Sequence, residues 1–539
     1  MTLRITNLRM PLDQDTDDLR GTVAERLRLP LQGVDAVKIV RKAIDARRKP
    51  NVSFVYTLDV DVQAEAKVVA RLTKDKDVAL KVPLIEPALQ LGSRVLQYAP
   101  VIVGMGPAGL FAALKLAEAG FRPIVLERGR DVDARARDVA AFWQTGELNP
   151  ESNVQFGEGG AGTFSDGKLT TRINDPRTDL VLRELIEAGA PPEIAYLHKP
   201  HVGTDRLRVV VKNLRNKIIA LGGQVQFQSK VTDVFIEQQR IVGVEINNSA
   251  TLPCTVLLLG IGHSARDTYR LLYERGVELA AKPFSIGVRI EHPQDLIDKA
   301  QYGQAAGHPR LGPADYALVH HDENTKRAVY SFCMCPGGHV VAAASESGGV
   351  VVNGMSNYAR SSGIANSALV VGVNPADYQS DSPLGGIEFQ CKWEQAAFIA
   401  GGSNYHAPGQ RLEDFLQGRA SSSLKEAAPP TYRPAVNPTD LHSCLPDFVT
   451  KTLASGLTHY GRKIRGFDSP DVIMTGVETR TSAPVRIVRK ANLESVNTEG
   501  LYPIGEGAGY AGGITSAALD GLNAAIEVIQ TYRLGAGDK

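Results

Sequence analysis

The chain has 539 residues, a length that corresponds to about three to four domains of ordinary size. Its 60 basic and 59 acidic residues leave a net charge of +1, so no overall field favours nucleic acid or a membrane surface. Five cysteines favour a reducing cytoplasm over a disulfide scaffold, and we expect neither a membrane-spanning helix nor a secretory signal.

Residues 1–95 read as a separate small unit. Alternating and helical patterns predict the order β-α-β-β-α-β, which is typical of a ferredoxin-like module. The predicted strands are 2–10, 34–48, 51–62 and 77–83, and the helices, the first with possible caps Thr16 and Asp17, are 16–29 and 64–72. Basic residues between 41 and 49 form a hairpin that could bind RNA, but the aromatic stacking signature is missing, so a solvated edge or an interdomain contact is favoured.

The segment "VIVGMGPAGL" (101–110) places three glycines directly after an apolar strand. Gly104 permits a tight turn, Gly106 lets the backbone approach a pyrophosphate, and Gly109 lets the following helix pack on the strand. A second strand ends at Glu127, where an acid binds a ribose hydroxyl and disfavours a 2′-phosphate. The pattern predicts a dinucleotide site at Gly104, Gly106, Pro107, Ala108, Gly109, Glu127 and Arg128.

A second glycine-rich segment, "GLYPIGEGAGYAGGITSAALDGLNAAIEVI", covers residues 500–529. A short strand leads to Gly505 and Glu506, and Gly513 and Ile514 open a helix. The segment resembles the second FAD signature of glutathione-reductase-type flavoproteins. That resemblance implies that Glu506 contacts the ribityl chain and that the helix N-terminus faces the flavin pyrimidine edge, where it would stabilise negative charge.

Two further glycine segments fit the same cofactor. Residues 255–267 form a strand that ends at Gly260 and Gly262, and the resemblance places it near the flavin; no second acidic strand unit follows, so it does not read as an NAD domain. Residues 153–169 lack a leading strand and read as a loop whose backbone lies against the flavin, although an ordinary surface loop stays an alternative. Its predicted cofactor contacts are Gly159, Gly160, Gly162, Ser165 and Lys168.

Taken together, the segments 98–129, 153–169, 255–267, 476–488 and 500–529 resemble the bacterial FAD-dependent, or NAD(FAD)-utilising, dehydrogenases of the glutathione-reductase-type FAD fold. The resemblance implies an α/β protein with a Rossmann-type FAD-binding domain, an inserted mixed α+β substrate domain and the ferredoxin-like α+β module. The expected domains are the module at 1–95, the FAD-binding domain at 96–280 and 471–539, and the inserted substrate domain at 281–470.

The stretch "SFCMCPGGHVV" (331–341) places Cys333 and Cys335 two residues apart. On a strand both would face the same side, so they could present two thiols to a flavin or a substrate. The favoured alternative is that both are small hydrophobic residues in a core. A Cys-x-Cys pair without a second pair of matching spacing predicts no metal site.

Residues 476–490 are unusually polar for a segment that leads toward a buried strand. Arg480 and Arg486 could clamp a substrate carboxylate with Glu478 as their partner, or they could belong to an ordinary interface ion-pair network. Weaker candidates for polar contacts lie further upstream, at Asn353, Ser356 and Arg360.

These patterns predict a cytoplasmic FAD-dependent oxidoreductase, a dehydrogenase that binds FAD non-covalently and transfers hydride with a small organic substrate. Reduced nicotinamide is a candidate transient donor. An alternative from another class is a flavin-carrying, RNA-interacting or scaffold protein whose N-terminal module binds the partner. A flavin-dependent hydroxylase or halogenase is a third possibility; with two tryptophans, Trp143 and Trp393, the chain cannot form the halogenase "WxWxIP" loop. Substrate, catalytic base and oligomeric state do not follow from the sequence.

Overall fold

The computed structural model describes residues 2–14, 19–49, 51–63, 68, 75–81, 89–424 and 429–535. The chain forms two compact units. One, the N-terminal unit, contains residues 1–88, 191–200 and 298–314, and the other, the main unit, contains the rest. Apart from residues 298–314, which belong to the N-terminal unit, residues 281–470 lie in the main unit together with the predicted FAD-binding segments, and the inserted substrate domain stays a prediction.

The N-terminal unit contains a four-stranded antiparallel sheet with the helix Leu19–Leu27. Buried and half-buried positions alternate along its central strands, as expected when one face covers a core. In spatial order the strands are Val34–Asp45, Ser53–Val62, Thr2–Pro11 and Val78–Leu80. The four predicted strands are present, while the predicted helix 64–72, apart from residue 68, and the predicted caps Thr16 and Asp17 lie outside the described residues, so the ferredoxin-like module stays a prediction.

Two later segments complete the N-terminal unit. Ala305 and Leu311 pack against its core, and the guanidinium of Arg310 lies 5.1 Å from the ring centroid of Phe54. The prediction of a continuous module at 1–95 did not include these segments, because nothing in their local pattern marks them as part of an N-terminal core.

A five-stranded parallel sheet organises the main unit. Its three neighbouring strands at one side are buried throughout, as expected for a parallel sheet covered on both faces. The spatial order is Leu501–Pro503, Leu257–Leu259, Val101–Val103, Ile124–Leu126 and Gln224–Gln226. Stretches 400 residues apart in sequence therefore end at the same edge of one sheet.

The helices Pro107–Glu118 and Ile514–Thr531 pack closely on each other in the main unit. A Cβ at Gly521 would lie 1.9 Å from the carbonyl oxygen of Ala108, so the backbones are in direct contact. The other helices of the described chain are Val132–Thr145, Thr178–Glu187, Thr204–Ala220, Arg266–Glu274, Gln294–Tyr302, Gly385–Ala400, Leu412–Leu416 and Asp447–Lys463. None of the helices that the structure describes is long and apolar enough to cross a membrane.

A seven-stranded, mostly antiparallel sheet lies in the C-terminal half of the main unit. Its central strand Phe284–Pro293 is buried along most of its length. The spatial order is Val319–Asp322, Arg327–Cys335, Ile364–Val373, Phe284–Pro293, Ile473–Glu478, Ala407–Arg411 and Val436–Pro438. Smaller sheets are formed by Val231–Glu237, Arg240–Ile246 and Ala250–Pro253, by Leu279–Ala281 and Val485–Ile487, by His339–Ala342 and Val352–Met355, and by Arg94–Leu96 and Tyr532–Leu534.

Candidate functional site

A cavity of about 400 Å³ opens where three parallel strands end in the main unit. Its lining includes Gly104, Gly260 and Gly505, each of which follows one of these strands. Open parallel sheets bind ligands in the crevice beyond the carboxyl ends of their strands. The topology therefore places the glycine segments around one site.

The first glycine turn is packed tightly by the protein itself. Gly104 has φ +92°, and a Cβ there would lie 2.3 Å from the carbonyl oxygen of Gly260. A Cβ at Gly109 would lie 1.9 Å from the carbonyl oxygen of Gly104. Gly106 differs, because its Cβ would make only an ordinary contact, 3.8 Å from the Cα of Gly160. The missing side chain of Gly106 leaves room on the cavity side, which fits a ligand that approaches the backbone.

Two helices begin at the cavity, with Gly106 and Gly513 as their N-caps. Both helices lie in the described part of the chain, and the first turn of each contains no acidic residue. The first N–H groups of a helix have no partner within the helix and carry partial positive charge. Both helix ends suit a phosphate or another group with negative charge.

The carboxylate of Glu127 stabilises the glycine turn at residues 104–106. It accepts hydrogen bonds from the backbone N–H groups of Met105, Gly129 and Gly157 at 2.8, 2.9 and 2.9 Å. The residue is only 4 % exposed and lines the cavity. A carboxylate has about four acceptor positions, so one remains for a ligand hydroxyl.

The loop 153–169 lies over the first turn. The backbone N–H of Gly159 donates to the carbonyl oxygen of Met105 at 2.8 Å, and a Cβ at Gly160 would lie 3.0 Å from the Cα of Gly106. Gly162 faces Ile514, where a Cβ would come within 3.1 Å of the isoleucine side chain. The loop thus joins the two glycine segments, and its glycines permit the close approach.

Asp166 is the centre of a charge cluster at this loop. Its carboxylate binds the ammonium of Lys168 at 2.8 Å, the guanidinium of Arg360 at 2.6 and 3.0 Å, and the hydroxyl of Ser356. Burial opposes ionisation, but the charges of Lys168 and Arg360 outweigh it and hold the pKa of Asp166 well below its usual range. Asp166 therefore keeps its negative charge, and Lys168 also lies 3.9 Å from the sulfur of Cys335.

A buried ion pair connects two strands of the seven-stranded sheet. The guanidinium of Arg289 binds both carboxylate oxygens of Glu478, at 2.7 and 3.0 Å, and donates to the carbonyl oxygen of Cys333 at 2.9 Å. The prediction that Glu478 pairs with Arg480 and Arg486 is therefore wrong. Its partner comes from the neighbouring strand Phe284–Pro293, which no local pattern reveals.

Arg480 and Arg486 do not face the same place. The guanidinium of Arg480 lines the cavity and binds both carboxylate oxygens of Glu394, at 3.2 and 3.0 Å. Arg486 is exposed, and its guanidinium lies 4.9 Å from the ring centroid of Tyr510. A joint carboxylate clamp would need both arginines at one site, and the arrangement does not provide it.

The strand Arg327–Cys335 bulges at Cys333. Cys333 has φ +45°, a conformation that side chains other than glycine rarely adopt, and it lines the cavity. Cys335 is fully buried, and its thiol lies 3.3 Å from the carbonyl oxygen of Cys333. The thiol of Cys335 and the charges of Lys168 and Arg289 hold the pKa of the Cys333 thiol well below its usual range, against the effect of burial.

Three further titratable residues line the cavity. Burial raises the pKa of the Glu506 carboxyl to about 7, while the charge of Lys282 opposes the rise. Burial also lowers the pKa of His263 to about 3, so the imidazole is neutral. Arg128 is held by Glu151 and Asp267, and its guanidinium lies 4.1 Å from the ring centroid of Phe156 in the cavity wall.

The described lining contains all predicted cofactor-binding residues except Gly109 and Gly159, which pack behind it. Of the candidate catalytic residues it contains Cys333 and Arg480, but not Cys335 or Arg486. Asn353 also lines the cavity, whereas Ser356 and Arg360 are bound to Asp166. The sequence reasoning assigned no role to three other lining residues, His263, Phe332 and Thr481, although all of them lie within segments that it singled out, and it placed Asp166 in the glycine loop without identifying it as the centre of a charge cluster.

A protein of Clostridium beijerinckii, itself uncharacterized, is 49 % identical to this chain over 534 residues, which cover 99 % of this chain and all of that protein. The chain belongs to the same family. Residues 283–481 match the C-terminal domain of FAD-dependent proteins, and residues 2–61 match a domain of unknown function. The match at 283–481 includes the bulged strand and the Arg289–Glu478 pair.

More distant similarities were also found. A thiamine thiazole synthase of Aeropyrum pernix is 26 % identical over 247 residues, covering 41 % of this chain and 78 % of that protein. Among solved structures, the amino acid oxidase NikD has 13 % identity and a TM-score of 0.38, covering 83 % of this chain and 97 % of its own. A flavoprotein/dehydrogenase of Cytophaga hutchinsonii has 12 % identity and a TM-score of 0.35, covering 82 % and 80 %. Similarities of this size carry no inference about the reaction.

Proposed function

We propose that the protein is an FAD-dependent oxidoreductase, a dehydrogenase that holds FAD non-covalently in the cavity and transfers hydride with a small organic substrate. The observation that carries this proposal is Gly106. It is the N-cap of a helix, it faces the cavity, and its Cβ position is unoccupied by the protein itself. A dinucleotide is the group for which a glycine in this place is needed.

Each end of the cofactor has residues that suit it. The N-terminus of the helix Pro107–Glu118 would bind the pyrophosphate, and the remaining acceptor position of Glu127 would bind the adenosine ribose. The helix that begins at Ile514 would place its positive end toward the flavin ring. When bound, FAD supplies the two-electron redox chemistry, and the chain supplies binding, orientation and charge.

Glu506 is the group that we propose to exchange protons in this cavity. A carboxyl with a pKa of about 7 can take up or release a proton near neutral pH, which is the range in which acid–base catalysis is most efficient. The neutral His263, whose pKa lies near 3, lacks this property. Arg480, held by Glu394, is suited to present a fixed positive charge to a substrate.

The substitution Gly106→Val tests the cofactor site. Its Cβ would make only an ordinary contact, and its methyl groups would fill the path of the phosphates, so we expect a folded protein that purifies without the flavin absorbance of the wild type. Gly312→Val is the matched control, because within the described chain no atom lies within 4 Å of a Cβ at Gly312. Full flavin content in Gly106→Val, with circular dichroism equal to that of the control, would contradict the proposed site.

The direction of electron transfer is tested with the purified flavoprotein under anaerobic conditions. We expect a reduced organic compound to bleach the flavin band. Reduced nicotinamide, the candidate transient donor, is tested first. A panel of alcohols, amines and hydroxy acids tests the direct substrates. A protein that keeps its flavin and is bleached by no member of either group would argue against a dehydrogenase.

A further inference from the structure

Cys333 is held in an unusual position by its neighbours. The register of the strand shifts between Phe332 and Cys335, and Cys333 takes φ +45° at the shift. Its carbonyl oxygen accepts a hydrogen bond from the buried Arg289 at 2.9 Å. A non-glycine residue keeps such a conformation only where surrounding contacts enforce it, and these positions cluster at functional sites. Here the effect is to bring one thiol to the cavity wall.

A second thiol stands directly behind the first. The sulfur of Cys335 lies 3.3 Å from the carbonyl oxygen of Cys333 and 3.9 Å from the ammonium of Lys168. The positive charges of Lys168 and Arg289 favour the thiolate form of Cys333, which is the reactive form. The pair therefore combines a half-buried thiolate in the cavity wall with a protonated thiol next to it.

The other three cysteines have different surroundings. Cys254 and Cys444 are fully buried, and burial raises the pKa of each thiol to about 12. Burial also raises the pKa of Cys391, which contacts the guanidinium of Arg266. Thiols of this kind react slowly with oxidants, so the chain contains its own internal controls.

We propose that Cys333 and Cys335 form an oxidation site for hydrogen peroxide, in which Cys333 is oxidised first and Cys335 then closes a disulfide with it. The Cys333 thiolate attacks one oxygen of the peroxide, the O–O bond breaks, and the leaving hydroxide takes up a proton to become water. Cys333 is now a sulfenic acid. The Cys335 thiol attacks this sulfur and displaces hydroxide, which leaves as a second water with the proton of Cys335. The two thiols lose two electrons in total, and these reduce the peroxide.

The oxidation of these two thiols is a different reaction from the proposed flavin chemistry, and it does not require bound flavin. Because Cys333 lines the same cavity, the oxidised pair would change the wall against which a substrate lies. Peroxide would therefore change the shape of the cavity wall, an effect that oxidation of the other cysteines would not have, because the described lining includes none of them.

The test exposes the protein, as purified, to hydrogen peroxide and maps all five cysteines by mass spectrometry. We expect the peptide that contains Cys333 and Cys335 to lose two hydrogens by disulfide formation, at least about tenfold faster than Cys254, Cys391 or Cys444 are oxidised. The change should reverse with dithiothreitol. Oxidation that is equally slow at all five thiols, or fastest at Cys391, would overturn the proposal.

Two variants separate the roles of the pair. In Cys335→Ser the sulfenic acid cannot be resolved, so we expect it to accumulate on Cys333 and to be trapped by dimedone. In Cys333→Ser we expect no dimedone adduct on Cys335 at the same peroxide exposure. Cys391→Ser is the control and should behave like the wild type. Trapping on Cys335 in the absence of Cys333 would reverse the assignment and contradict the inference, even if flavin binding is unchanged.

Discussion

At the scale of single residues, the raised pKa of Glu506 leads to a direct test by stability measurements. Its folded pKa of about 7 lies above the ordinary value of 4.5, because burial disfavours the charged form. Between these two pH values the folded protein binds more protons at this site than the unfolded chain does. Stability contributed by this residue is therefore lost as the pH rises from about 4.5 to about 7, and it stays constant above that range.

We predict that Glu506→Gln, compared without added cofactor, is more stable than the wild type at pH 8 and differs little at pH 4. The expected gain at pH 8 is on the order of 1–3 kcal/mol, because the amide removes the cost of the buried charge. Urea unfolding at both pH values measures it. Glu388→Gln, on an exposed helix surface, is the control. A difference between variant and wild type that does not grow with pH would contradict the prediction.

Reasoning from the sequence at this scale succeeded where backbone decided the role of a residue. The sequence predicts a tight turn at Gly104, a close approach of a ligand at Gly106 and close helix packing at Gly109. In the structure, an added Cβ would clash with protein backbone at Gly104 and Gly109 but not at Gly106. It failed for Glu478, because the partner of a buried charge is set by which strands become neighbours. The bulge at Cys333 was not predicted either, since Phe332 and the residues after it have no glycine or proline to mark an irregularity before Pro336.

At the scale of elements, the pair Arg289–Glu478 links two neighbouring strands of the seven-stranded sheet. Both side chains are almost inaccessible, at 0 % and 2 % exposed. Desolvation and mutual attraction nearly cancel in such pairs, so the presence of the pair adds little stability. Loss of one partner is different, because it leaves an unpaired charge in the core.

We predict that Glu478→Leu lowers the free energy of unfolding by about 3–5 kcal/mol. The double variant Arg289→Met/Glu478→Leu should recover much of this loss, because no buried charge then remains uncompensated. Chemical denaturation of the two variants and the wild type measures the difference. A single variant as stable as the double one would show that the pair is not electrostatically coupled.

The helix Pro107–Glu118 is held against the glycine turn by the absence of one side chain. We predict that Gly109→Ala forces this helix away from the turn, because its Cβ would lie 1.9 Å from the carbonyl oxygen of Gly104. The expected result is a lower melting temperature together with reduced flavin content. Gly106→Ala adds the same methyl group at the same helix end with only an ordinary contact, and its melting temperature should stay close to the wild type.

At the scale of the whole molecule, a bound dinucleotide would join segments that are far apart in sequence. The cavity lining includes Gly104, Gly160, Gly260 and Gly513, and a ligand that contacts all four would stabilise their relative positions. We predict that FAD added to the stripped protein at a hundred times its Kd increases stability by about 2.7 kcal/mol. Thermal unfolding measures this increase. Gly106→Val should show no such response, and an equal response in that variant would place FAD elsewhere.

The N-terminal unit shows a limit of sequence reasoning at this scale. Local patterns predicted its strands well, but residues 191–200 and 298–314 joined it from far along the chain. We predict that deletion of residues 1–88 exposes Ala305 and Leu311, so the shortened protein should bind a hydrophobic dye and aggregate more than the full chain does. A monomeric product without dye binding would show that these segments do not need the module.

Because deletion of residues 1–88 would also expose Ala305 and Leu311, the RNA-binding alternative is better tested in the full chain. Arg47 and Arg48 lie in the predicted basic hairpin, and Arg47 is strongly exposed. Replacement of both by glutamate reverses the local charge without removing the core. RNA binding that is lost in this variant while the flavin content is unchanged would support the alternative, and we expect no RNA binding by the wild type.

The sheet order has a consequence for how the protein is made. The strand Leu501–Pro503 pairs with Leu257–Leu259, and the helix from Ile514 to Thr531 closes the crevice. During synthesis these pieces leave the ribosome about 400 residues after the strand Val101–Val103, which forms another wall of the same crevice. A nascent or terminated product that stops before Ile514 lacks one wall of the proposed nucleotide crevice, so the yellow prosthetic group would be acquired only after this helix has been made, and a stop codon before Ile514 would yield a colourless protein.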